Sequence, residues 1–103
     1  MTTAILTGHS SIAGRSVPGT GTALYAIAPA TDEQLEPPYS QIDVEQLRAA
    51  TAAAAEAFTS FSRLAPDAHA AFLESIADEI DAIGDTLIER AMQETGLPQA
   101  RLL

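Results

Sequence analysis

The sequence predicts an α+β chain, mainly α, with a β-hairpin and irregular arm over residues 1–41 and two to three amphipathic helices over 42–103. Three observations carry this expectation. Prolines and glycines concentrate before residue 42, apolar residues beyond it recur at spacings of three and four, and alanine dominates the apolar set. Of 103 residues, 47% are hydrophobic, and 21 of these are alanine, which leaves 27 larger apolar side chains. A chain of this size hides roughly two thirds of its unfolded surface at about 25 cal/mol per Å², so so many alanines imply a thin core. The composition fits a helical layer of something larger better than a compact stand-alone enzyme.

In the first half, residues 4–7 (Ala4 to Thr7) and 11–13 (Ser11 to Ala13) are short enough for strands, with Gly8-His9-Ser10 turning between them. A further strand is expected from Thr22 to Ile27, where Leu24, Ala26 and Ala28 alternate with Ala23, Tyr25 and Ile27. Gly14, Pro18, Gly19 and Gly21 punctuate the stretch between, and Pro29 limits the last strand because it cannot donate to a ladder. The remainder, to a boundary near Pro37-Pro38-Tyr39-Ser40, reads as an irregular arm. Such a hairpin is too small to stand alone in water.

The helices are better determined. Asp43 is placed to cap the first: its carboxylate can accept from the amide of Gln46 while Gln46 reaches back, and Ile42 and Leu47 occupy the positions of a hydrophobic staple. Leu47, Thr51, Ala54, Phe58 and Phe61 share one face, expected to be buried, and the helix should end near Ser62 to Ala65. Pro66 suits the first position of a second helix and Asp67 favours its N-terminal dipole. Phe72, Ile76, Ile80, Ile83 and Leu87 form its apolar stripe, opposite an acidic face of Glu74, Asp78, Glu79, Asp81 and Asp85. Gly84 is expected to divide this stretch in two, because glycine costs about 1 kcal/mol in a helix interior. The last helix then runs to Thr95, with Gly96 as its C-terminal cap and Pro98 beyond, where a further turn reaches Leu102 and Leu103. Ending in such a turn reads either as a truncated chain or as a frayed tail.

Charge and composition exclude several functions. Fourteen acids against five bases give a net charge of −9, and the bases are five scattered arginines, Arg15, Arg48, Arg63, Arg90 and Arg101, with no lysine. Neutralising a nucleic-acid backbone or an anionic membrane needs clustered cations, so neither partner is expected. The absence of cysteine removes disulfides, thiolate metal sites and cysteine nucleophiles from this stretch. The first eight residues carry no positive flank and no run approaches the roughly 20 apolar residues of a membrane span, so a cytoplasmic protein is expected.

The search for chemistry returns no catalytic, cofactor-binding or metal-binding residue. His9 and His69 lie in different halves, outside any metal-ligand spacing, and read as surface or helix-cap residues. Gly19-Thr20-Gly21 is followed by Ala23 and Leu24 where a dinucleotide fingerprint needs another glycine and a helix, so a turn is expected. Ser10 and Ser11 lack a nucleophile elbow. Asp78 with Asp81, or Asp81 with Asp85, share a helix face but nothing supplies the pocket that would separate their acidities.

The order of segments adds to this. Ile12-Ala13-Gly14, then Ile27-Ala28-Pro29-Ala30-Thr31-Asp32-Glu33, then Asp43-Val44 opening a helix to Ala57-Phe58, then Ala65-Pro66-Asp67 through Leu73 to Asp78, and finally Glu94-Thr95-Gly96-Leu97-Pro98 resembles the N-terminal part of the aldehyde dehydrogenase superfamily. Leu6-Thr7-Gly8-His9 and the closing Ala91 to Leu102 look most like the α-ketoglutaric semialdehyde (2,5-dioxopentanoate) dehydrogenase group; many relatives have lysine where Leu97 stands. Ala28 replaces the family's usual asparagine, Asp32 its usual glycine, and His69 an arginine common early in the second helix.

The resemblance implies that residues 1–103 are an incomplete N-terminal part of a cofactor-binding α/β domain, with 1–41 as a strand and loop arm and 42–103 as a helical layer packed on a Rossmann-like sheet. It implies a parent that oxidises an aldehyde to a carboxylate, 2,5-dioxopentanoate to 2-oxoglutarate, with NAD or NADP, through a cysteine thiohemiacetal and a glutamate-assisted hydrolysis. The cysteine, the glutamate, the oxyanion asparagine and the main cofactor contacts would all lie downstream. The chain alone is then expected to be inactive and to bind no cofactor. Its partners would be the remainder of the parent and, through it, a dimer or tetramer. The rival expectation is a complete small acidic helical interaction module.

Overall fold

The structure, a computed structural model, describes residues 6–103. Two antiparallel hairpins lead into three helices, an α+β arrangement as the sequence predicts. The strand placement differs from expectation in the first hairpin. Residues 4 and 5 lie outside the described residues, Leu6 and Thr7 are not in a strand, and the hairpin is instead β1 (Ser10–Ile12) paired with β2 (Arg15–Val17). Its two-residue turn is Ala13-Gly14, at φ 51° and 75°. Left-handed conformations at both positions match the twist of the flanking strands, which is why this short turn works even with alanine in it.

The second hairpin pairs β3 (Ala23–Ala28) with β4 (Glu33–Ser40), so the expected irregular arm is a strand. The loop joining them turns at Asp32, φ 60°, whose amide donates to Ala28 O at 2.8 Å. Aspartate is among the few non-glycine residues that tolerate this left-handed conformation. The pairing shifts between Leu24–Tyr39 and Ala26–Leu35, leaving Glu36, Pro37 and Pro38 bulged opposite Tyr25. A proline cannot fill a ladder position that needs an N–H, and the bulge removes that need. Gly8 lies against this bulge at φ 71°, where a Cβ would stand 1.9 Å from Pro38 O.

Helix α1 (Val44–Phe61) starts at the expected capping box: Gln46 N donates to Asp43 Oδ1 at 2.7 Å and Asp43 N donates to Gln46 Oε1 at 3.0 Å. It stops at Phe61, with Ser62 as C-cap. Helix α2 (Pro66–Ala82) opens with Pro66 at its first turn. Ile83, at φ −100° and ψ 9°, separates it from α3 (Gly84–Thr95), which ends on Gly96 at φ 71°. The tail forms a short 3-10 helix, Gln99–Arg101, after Pro98.

Packing overturns one expectation. The face Leu47, Thr51, Ala54, Phe58 and Phe61 is exposed, with Phe58 at 67%, and α1 holds no buried residue. The half-buried residues on α1 are Gln46, Ala50 and Ala53, the side where Gln46 Nε2 donates to Pro18 O at 3.0 Å. Nor does any residue of α2 or α3 qualify as fully buried; the most covered apolar side chain is Ala28 on β3, in the strand that α3 packs against. The radius of gyration is 16.9 Å, against about 13 Å for a compact domain of this length. The thin core expected from composition is therefore thinner still, because the large apolar side chains of α1 and α2 face outward.

Candidate functional site

His9, Thr20, Asp43 and His69 each make a local structural contact. His9 Nδ1 lies 2.9 Å from Ser16 Oγ across the first hairpin, where Ser10 and Ser11 are strand residues. Gly19-Thr20-Gly21 is a turn between strands, as expected. The amide of Gly21 donates to Gln41 O at 2.8 Å, and a Cβ on Gly19 would stand 2.2 Å from that same oxygen. These glycines let two chain segments touch. Thr20 donates its hydroxyl to Asp43 Oδ2, so Asp43 caps α1 and ties it to this turn at once. The Thr20 hydroxyl first, and the Gln46 amide second, hold the Asp43 carboxyl below its ordinary acidity range by stabilising the charged form.

His69 fulfils the helix-cap expectation. Its Nε2 donates to Phe61 O at 2.7 Å, satisfying a carbonyl at the end of α1, and its ring stacks on Phe61 at a centroid distance of 4.8 Å. Phe72 meets Phe61 edge-on at 5.3 Å. This histidine joins α1 to α2. Beyond it, Phe72, Ser75, Ile76, Glu79, Ile80 and Ile83 line an open apolar groove along α2. Asp78, Asp81 and Asp85 are exposed; contrary to expectation, Asp81 and Asp85 both line a cavity, at the junction of α2 and α3 with Ile83, Gly84 and Ile88. Among the described residues no group of three or more His, Asp or Glu side chains could hold a metal ion.

One organising residue escaped the sequence reading. Arg90, with its side chain only 14% exposed, donates through Nη1 to Glu36 O at 2.6 Å and through Nε to Glu94 Oε1 at 2.8 Å. It fastens α3 to the bulge of β4. A signal existed: Arg90 stands three residues after Leu87, where the stripe calls for an apolar residue.

The N-termini of α1, α2 and α3 do not suit the phosphates of a dinucleotide. Helix N-termini attract phosphate through free amides and the positive end of the dipole. Here the first turns carry Glu45, Asp67 and Asp85, the α1 terminus is already filled by the Asp43 carboxylate, and Pro66 removes an amide from α2. An anion at any of the three meets a carboxylate.

Comparison with known proteins gives the family of this arrangement of hairpins and helices. The aldehyde dehydrogenase family matches residues 17–102, and the chain belongs to that family. It is 46% identical over 101 residues to alpha-ketoglutaric semialdehyde dehydrogenase 2 of Azospirillum brasilense, covering 94% of this chain and 19% of that protein. It is 39% identical over 64 residues to alpha-ketoglutaric semialdehyde dehydrogenase of Acinetobacter baylyi, covering 62% of this chain and 12% of the relative. The chain therefore spans less than a fifth of the length of these curated relatives. No solved structure gives a significant match.

Proposed function

We propose that residues 1–103 form the N-terminal part of the cofactor-binding domain of an aldehyde dehydrogenase that oxidises 2,5-dioxopentanoate to 2-oxoglutarate with NAD or NADP. The observation that carries this reading is the 46% identity over nearly the whole chain to a relative bearing that substrate's name. The acidic first turns of all three helices, unsuited to phosphate, support a division of labour. This layer shapes and covers the domain, while the nucleophile, the general base and the cofactor contacts belong to sequence beyond it. In this reading the parent is a cytoplasmic homodimer or homotetramer; no helix among the described residues is long and apolar enough to cross a membrane.

Sequencing the gene past codon 103 and assaying the product of the complete reading frame tests this. The expected result is a downstream segment bearing a cysteine and a glutamate, with NAD(P)-linked oxidation of 2,5-dioxopentanoate faster than that of simple aliphatic aldehydes. A stop codon directly after Leu103, or a full-length product that leaves NAD and NADP unreduced, overturns it.

A further inference from the structure

We draw no further inference here: the strongest candidate, the open apolar groove along α2 lined by Phe72, Ile76, Ile80 and Ile83, restates what membership of the aldehyde dehydrogenase family already implies, a helical layer covered by the rest of the parent chain, and nothing in the structure shows any other occupant.

Discussion

The hairpin-and-α3 region and the α1–α2 arm differ in what holds them. Around β3, β4 and α3, distant segments lock onto one another: Arg90 reaches Glu36, Gly8 lies against Pro38, and Gly96 comes up to Pro29. α1 is closed by its own capping box and α2 opens on Pro66, yet the joint between them is one aromatic cluster, Phe61 with His69 and Phe72. Helix formation and helix coverage are thus separate achievements. The first is local; the second needs a partner surface.

Substitutions can break this contrast. The largest effect is expected from Gly8→Ala, which places a Cβ 1.9 Å from Pro38 O at φ 71°. Left-handed strain of about 1–3 kcal/mol adds to the clash, and hydrogen exchange should report loss of protection in β4 while α2 is unchanged. Next is Arg90→Met, which removes two hydrogen bonds from a mostly buried guanidinium. Bonds to charged groups contribute about 1.5–3 kcal/mol, and a urea titration should show the hairpin separating from α3. Because Nη2 of Arg90 is buried without an acceptor, the loss should fall at the lower end of that range.

Phe61→Ala sharpens the comparison from the other side. It should cost about 1 kcal/mol of aromatic pairing and loosen α1 from α2, seen as a broadened distance between spin labels on the two helices, while β3 and β4 keep their protection. A smaller, pH-dependent effect belongs to Asp43. Its folded acidity is shifted down by the Thr20 and Gln46 bonds, so the stabilisation is present above the unfolded value and is lost as pH falls through the lower folded value. Helicity of α1 followed by circular dichroism should decline in that acid window, and Asp43→Asn should flatten the response. Smallest is Arg48→Ala: its pair with Glu45 has side chains 71% and 77% exposed, and a change within about 0.5 kcal/mol in a thermal melt is expected.

What was legible in the sequence follows the same division. Asp43 with Gln46, Pro66, Gly84 and Gly96 mark the helix ends correctly because a cap is settled by residues within one turn of it. The first hairpin was misplaced because its turn uses Ala13, a residue that seldom takes positive φ, beside Gly14. β4 was hidden by Pro37 and Pro38, which disqualify a regular strand but not a bulged one. The face of α1 was expected to be buried since periodicity reveals which residues share a side but not whether anything lies against it. The family is legible in motif order, since five short segments keep their sequence and separations. Arg90 remained unseen, since its partner is a carbonyl 54 residues away.

The contact between α3 and the second hairpin means that α1 and α2 are topologically an excursion, leaving the hairpin at Gln41 and returning at Ile83. Arg63 sits in the exposed turn between those helices, at the far end of the detour. A single tryptic nick there would sever the chain without severing the molecule. The two pieces, one holding both hairpins and α1, the other α2 and α3, would remain joined through Arg90 and the strand beneath it, as a noncovalent heterodimer.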